Sequence, residues 1–266
     1  MPERLVLLGS PVAHSLSPAM QNAALRSAGI PLRYEAVDVT PLALPATVRG
    51  LVVERTAGNV TIPHKVAFAS LCDRLTTPAA RAGAVNTFWV ADDGCLIGDN
   101  TDVPGFDTVA RDLLGTAPHN VRLLLLGAGG SAAAVLTAVA QWPGSEVTLW
   151  SRTAARATAL ASRFSGVART ASDPAEAAST AGMVVNATPV GLHGDDMPLA
   201  PHLLAAGSIA LDLVYRRGET SWVRAARARG LRTADGLSML VEQGALAFER
   251  WFARVPDREA MWSAVR

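Results

Sequence analysis

Leu123 to Leu126 is a run of four leucines that ends on Gly127-Ala128-Gly129-Gly130-Ser131-Ala132 and continues as an alanine-rich segment to Ala140, with no charge over eighteen residues. Three glycines within four positions break any single regular element, so the pattern is a buried strand, a tight turn and a buried helix. That is the setting of a dinucleotide-binding turn: the glycines permit the turn and let a pyrophosphate approach backbone N–H groups at the positive end of the helix. The string departs from G-x-G-x-x-G, having Gly130 early and Ala132 at the last position, and an ordinary tight βα turn is the competing reading. The run is also long enough to cross a membrane. The glycine interruption favours strand, turn and helix over one continuous span.

The pattern around this turn extends the expectation. From Val121 onward it predicts strand 122–126, helix 131–141, strand 146–150, helix 154–164, then strands 183–186 and 209–213, a doubly wound α/β unit. The first half alternates too: strand 4–9, helix 18–28, strand 33–39, a strand opening at Gly50–Val53 and leading to Asn59, and helix 66–71, which together imply a largely parallel, helix-covered sheet. Segments 84–90 and 95–98 form a hairpin through the turn signal Asp92-Asp93-Gly94. Helix 103–114 and a polar break at 115–120 lead into the second half. The last predicted helix, 238–252, puts Gln243 on a face with Met239, Leu240, Leu246 and Ala247, either satisfied internally or aimed at a ligand.

Composition narrows the class. With 266 residues, half of them apolar, the chain can bury a large core, and its net charge of +1 with scattered arginines leaves no basic stripe for nucleic acid. Cys72 and Cys95 have neither metal-ligand spacing nor a disulfide framework, and the apolar run after Met1-Pro2-Glu3-Arg4 is too short for a signal peptide, so a cytoplasmic protein without a metal is expected.

One lysine, Lys65, stands against twenty-three arginines, in Asn59-Val60-Thr61-Ile62-Pro63-His64-Lys65. An ammonium can lose its proton where a guanidinium cannot, so a lysine surviving such bias is a catalytic candidate, the alternative being one exposed lysine left by chance. Four of the six asparagines fall in short polar strings: Asn59-Val60-Thr61, Gly83-Ala84-Val85-Asn86-Thr87, Gly98-Asp99-Asn100-Thr101-Asp102 and Asn186-Ala187-Thr188-Pro189. After the strand ending at Trp150 comes Ser151-Arg152-Thr153, with Arg156 one turn later and no carboxylate. An acid there would hold an NAD ribose, whereas arginine pairs with the 2′-phosphate of NADP; a merely solvated arginine is the alternative. In His14-Ser15-Leu16-Ser17-Pro18, two hydroxyls precede a helix, either as N-cap and turn residues or as a carboxylate site.

Taken together these strings, with Val190-Gly191, Asp212-Leu213-Val214-Tyr215 and Met239-Leu240-Val241-Glu242-Gln243-Gly244-Ala245, resemble the shikimate dehydrogenase family over nearly the whole chain. The resemblance implies two α/β domains: a substrate-binding domain of residues 1–103 completed by 238–266, its carboxy-terminal helix returning to it, and a Rossmann-like NADP-binding domain of residues 104–237. It implies reversible NADP-dependent reduction of 3-dehydroshikimate to shikimate, with Lys65 and Asp102 as catalytic pair; helix capping is the other reading of Asp102. Ser15 and Ser17 would hold the substrate carboxylate, and Asn59, Thr61, Asn86, Tyr215 and Gln243 would surround the ring. Gly127, Ala128, Gly129, Gly130, Ser131, Ser151, Arg152, Thr153, Arg156, Asn186, Thr188 and Gly236 would bind the coenzyme. Quinate or aminoshikimate dehydrogenases of the same family, and a non-catalytic sensor of dinucleotide or ring acid, are the alternatives. The implied partners are small molecules, with no nucleic acid and no membrane, in a monomer or a homodimer. This chain departs from the family pattern at Gln21, where histidine is common, at Ser151, where asparagine often stands, and at Arg216-Arg217-Gly218, where an Asn-Pro loop usually follows the tyrosine.

Overall fold

The computed structural model describes residues 1–216 and 218–266; Arg217 lies outside them. The chain divides into two compact units, Met1–Val103 with Val241–Arg266, and Pro104–Leu240.

The first unit begins β1 (Arg4–Gly9), α1 (Ser17–Ser27), β2 (Tyr34–Asp38), α2 (Leu44–Val53), β3 (Thr56–Val60), α3 (Lys65–Ala69), β4 (Arg74–Leu75), α4 (Thr77–Ala82), β5 (Thr87–Val90) and β6 (Leu96–Asp99). Its six strands lie in the order β2-β1-β3-β5-β6-β4. The sheet is mixed rather than largely parallel, because β5 runs antiparallel to both β3 and β6. The hairpin forms as expected, with Gly94 at φ +82 in its turn. Val6, Leu8, Val60, Phe68, Phe88 and Leu96 form its core. Gly58 is required in β3, since a Cβ there would lie 1.9 Å from the Val6 carbonyl oxygen.

A second sequence expectation fails here. Gly50–Val53 closes helix α2 instead of opening a strand. The β-branched Val52-Val53 pair suggests extended chain, but Pro45 fits the first turn of a helix, and Leu44, Val48 and Leu51 bury one helical face. The strand starts only after Arg55, at φ 46, has turned the chain.

The second unit opens with α5 (Asp102–Leu114), which begins at the boundary, and continues with β7 (Arg122–Leu126), α6 (Gly130–Val139), β8 (Glu146–Trp150), α7 (Ala154–Ser162), β9 (Ala168–Thr170), α8 (Pro174–Ala178), β10 (Met183–Asn186), β11 (Ile209–Asp212), α9 (Ser221–Ala228) and β12 (Arg232–Ala234). Every neighbouring pair is parallel in the order β12-β11-β10-β7-β8-β9, so the doubly wound reading holds. The order reverses between β7 and β10, and in such sheets ligands bind beyond the carboxyl ends of the strands at that reversal. The uncharged run divides into β7, a turn and the ten-residue α6, and among the described residues no helix is long and apolar enough to cross a membrane.

The chain ends with α10 (Gly236–Phe252), which passes from the second unit to the first at Val241, and α11 (Arg258–Ser263). The carboxy-terminal segment is part of the first unit's core: Trp251 stacks on Tyr34 with centroids 5.9 Å apart, and α11 packs on α1.

Candidate active site

Within the first unit, the ends of β3, β5 and β6 converge with α3 and α10 on one polar cluster. Lys65, the first residue of α3, donates from Nζ to Asp102 Oδ2 at 2.6 Å, and their side chains are only 14% and 6% exposed. Asp102 is the first residue of α5, so its carboxylate also lies at the positive end of a helix. Its other oxygen accepts from Asn86 Nδ2 at 2.9 Å. The same amide nitrogen reaches Thr101 Oγ1 at 3.0 Å and Gln243 Oε1 at 3.1 Å, and Asn86 Oδ1 accepts from the Thr101 N–H at 2.7 Å. Asn86 is therefore the hub that joins Lys65–Asp102 to the carboxy-terminal helix. Gln243 on its apolar face is hydrogen-bonded to a side chain of the site.

Asn59 adjoins the cluster at the end of β3. Its Oδ1 accepts from Tyr34 Oη at 2.7 Å and its Nδ2 donates to the Asn86 carbonyl at 3.1 Å, leaving the side chain buried and oriented. Thr61 stands just beyond β3, its methyl against Gly9, where a Cβ would approach within 2.5 Å. The Ser10 N–H donates to the Ile62 carbonyl at 3.0 Å, which joins the loop leading to Ser15 to the loop leading to Lys65. Ser15 and Ser17 hydroxyls are 3.2 Å apart at the amino end of α1. The N-cap of α1 is Leu16, with no side-chain cap, so Ser17 is the first helical residue and not the cap. Two paired hydroxyls at the amino end of an eleven-residue helix make a donor-rich place for a carboxylate.

The second unit supplies the coenzyme features. Gly127, at φ +115, follows β7, and a Cβ on it would come within 2.7 Å of the carbonyl oxygen of Ala187, the residue after β10. The glycine turn thus sits where the sheet reverses. Gly129 is the N-cap of α6 with no side-chain cap, and a Cβ on it would meet nothing within 4 Å, so the backbone in front of the helix is open. Ala128 is half-buried, as are Gly130 and Ser131 in the first turn. After β8, the Ser151 hydroxyl accepts from the Thr153 N–H at 3.4 Å, and Thr153 is the N-cap of α7. Arg152 and Arg156 are exposed, and among the described residues neither meets a carboxylate. An open glycine turn, an uncapped helix and two unpaired guanidiniums in place of an acid fit NADP.

Asn186 and Gly236 are held by contacts with the protein. Asn186 is fully buried; its Nδ2 donates to Asp212 Oδ1 at 2.8 Å and to the Val190 carbonyl, while its Oδ1 accepts from the N–H and hydroxyl of Thr188. It shapes the loop after β10. Gly236 is packed against the backbone of Leu213, whose carbonyl oxygen would lie 2.5 Å from a Cβ there. Tyr215 is half-buried, and Arg216 donates to the Gly194 carbonyl at 2.6 Å and to Asp195, tying down the neighbouring loop.

Sequence reasoning passed over Asp212. It is fully buried at the end of β11, with Asn186, the Val214 N–H and the Thr220 hydroxyl donating to its carboxylate. Burial raises its pKa from 3.8 to about 6, overcoming the lowering by its three donors. It opens the string Asp212-Leu213-Val214-Tyr215, but an acid ending an apolar strand signals burial without naming partners.

Comparison with known proteins identifies relatives of the whole chain. A family profile described as "Shikimate dehydrogenase substrate binding domain" matches residues 7–88, and one described as "Shikimate 5'-dehydrogenase C-terminal domain" matches residues 236–266. The chain is 45% identical to a shikimate dehydrogenase (NADP(+)) of Methylobacterium radiotolerans, covering 95% of this chain and 92% of that one. The solved shikimate 5-dehydrogenase of Thermus thermophilus, in complex with NADP(H) and shikimate, superposes with a TM-score of 0.88 at 43% identity, covering 100% of this chain and 99% of that one. A quinate dehydrogenase from Corynebacterium glutamicum in complex with NAD has the same TM-score of 0.88 at 28% identity, covering 99% and 98%. Fold and site define an oxidoreductase with a Rossmann-like coenzyme unit. The chain belongs to the shikimate dehydrogenase family.

Proposed function

We propose that this chain catalyses the reversible, NADP-dependent reduction of 3-dehydroshikimate to shikimate, a step towards chorismate and the aromatic amino acids, in the cytoplasm. The observation that carries the reading is the buried Lys65–Asp102 pair, held by Asn86 and Gln243 in the first unit. NADP supplies or accepts the hydride. Charge then develops on the substrate's carbonyl oxygen, and in this reading Lys65 gives that oxygen its proton while Asp102 orients the ammonium. In the reverse direction Lys65 takes the hydroxyl proton. Asn86 holds Asp102, while Ser15 and Ser17 receive the ring carboxylate at the amino end of α1. Asn59, Thr61 and Gln243 complete the ring site. In the second unit, the turn from Gly127 to Ser131 receives the pyrophosphate, and Ser151, Arg152, Thr153 and Arg156 receive the 2′-phosphate.

The reading is tested by steady-state turnover with shikimate, quinate and aminoshikimate, each with NADP and with NAD, followed by nicotinamide absorbance. Quinate carries an extra hydroxyl beside its carboxylate. A site without a partner for it loses about 1–3 kcal/mol, so kcat/KM with quinate should be lower by about fivefold to somewhat over a hundredfold. Comparable specificity constants for shikimate and quinate would remove the shikimate assignment, and no turnover with any acid would favour a sensor.

A further inference from the structure

The carboxy-terminal helix α10 does more than contribute Gln243. Arg250 lies seven residues further on, about two turns at 3.6 residues each, and so on the same face as Gln243. Its Nε donates to Asp99 Oδ2 at 2.8 Å. Asp99 ends β6 and its side chain is 2% exposed. The other Asp99 oxygen accepts from the Thr76 hydroxyl and from the Asn100 N–H, the latter at 2.7 Å. Next to Arg250, Trp251 Nε1 donates to Thr87 Oγ1 at 3.1 Å, and Thr87 is the cross-strand partner of Asp99.

From Asp99 the chain reaches Asp102 in three residues, each fixed in turn. Asn100 Nδ2 donates to the Ala84 carbonyl at 2.8 Å, the Thr101 N–H to Asn86 Oδ1, and Asp102 takes Asn86 Nδ2 and Lys65 Nζ. Helix α10 therefore holds this segment at both ends, through Arg250 at Asp99 and through Gln243 and Asn86 at Asp102. We propose that Arg250 and Asp99 are positioning residues for the reaction, an ion pair that sets where the Asp102 carboxylate, and with it the Lys65 ammonium, stands. The pair touches no substrate. It acts by fixing the start of a four-residue segment whose last member orients the proton-handling group, and a displacement of about 1 Å in such a group can cost about a hundredfold in rate. An alternative in which Arg250 only adds stability predicts no change in turnover per folded molecule.

The proposal rests on the functional reading above, so wild-type turnover of shikimate with NADP is measured first; its absence would remove that reading and leave the ion pair to be judged by hydrogen exchange. The variants are Arg250→Met, Arg250→Lys and Arg250→Met with Asp99→Asn, each normalised to the folded fraction by circular dichroism. Arg250→Met should lower kcat about tenfold to a hundredfold, move KM for shikimate less than about twofold, and speed amide exchange in residues 99–102. Arg250→Lys should recover most of the kcat and of the protection. The double variant leaves no buried charge unpaired, carries the test if Arg250→Met does not fold, and should show the same kcat loss as Arg250→Met. Wild-type kcat per folded molecule in Arg250→Met or in the double variant, or exchange in 99–102 unchanged from wild type, overturns the proposal.

Discussion

Asp212→Asn should stabilise the protein near neutral pH. The native carboxylate is fully buried and ionises only above about 6, whereas an unfolded aspartate ionises near 3.8. The native state therefore holds this proton more tightly than the unfolded state. Stability falls as pH rises from about 4 to about 6, and the loss stays constant above that. At roughly 1.4 kcal/mol per pH unit the penalty is about 3 kcal/mol at pH 7 and above. An asparagine has no such penalty and nearly the same shape. Its Oδ1 still accepts from the Val214 N–H and Asn186 Nδ2, as the aspartate's does. The new Nδ2–H faces the Thr220 hydroxyl, which now donates to Asp212 Oδ2 and accepts from the Val223 N–H. That hydroxyl can accept from both, but its own proton loses its acceptor, which costs about 1 kcal/mol. The net expectation is a gain of about 2 kcal/mol above pH 7, or about 4–8 °C in Tm for a domain of this size, which vanishes between about pH 4 and 5 and becomes a loss of about 1 kcal/mol at lower pH, where only the Thr220 cost remains. Thermal unfolding of both proteins at pH 5, 6, 7 and 8 checks it. A Tm gap that does not widen from pH 5 to pH 7, or a variant less stable at pH 8, would refute the assignment of a strained ionised Asp212.

Lys65→Ala should lower turnover by about two to four orders of magnitude with a smaller effect on shikimate binding, and Lys65→Arg should rescue little if the amine handles the proton, both read from steady-state kcat and KM. Asp102→Asn should be nearly as damaging, and the Lys65→Ala/Asp102→Asn double variant should cost much less than the product of the two, because the residues act as a unit. Arg152→Ala should weaken NADP about tenfold to a hundredfold and leave NAD nearly unchanged in titrations with each coenzyme; equal loss for both would assign the arginine to folding. Gly127→Ala meets the Ala187 carbonyl oxygen and must hold φ at +115, so it should lose at least about 1–2 kcal/mol of stability along with coenzyme binding, read by thermal unfolding and NADP titration.

Local chemistry is what the sequence determined by itself. Three glycines after four leucines place a tight turn between a strand and a helix, and the lone lysine stands out as a catalytic candidate because a guanidinium cannot give up its proton. Period and turn signals were enough for the parallel second sheet and for the hairpin at Gly94. They misled at Gly50–Val53, where local β-branching pointed to a strand and the burial of Leu44, Val48 and Leu51 decided for a helix. They were silent on β4, β9 and β12, strands of two or three residues too short to show a period. Only the tertiary structure brought Lys65, Asn86, Asp102 and Gln243 into one hydrogen-bonded cluster, since Asn86 and Gln243 are 157 residues apart. It also decided the surroundings of two residues expected at the coenzyme, with Asn186 turned inward onto Asp212 and Arg152 exposed. The physical reason is that a polar side chain's role depends on whether its partner is protein or solvent. That partner is chosen by long-range packing, which no local pattern encodes.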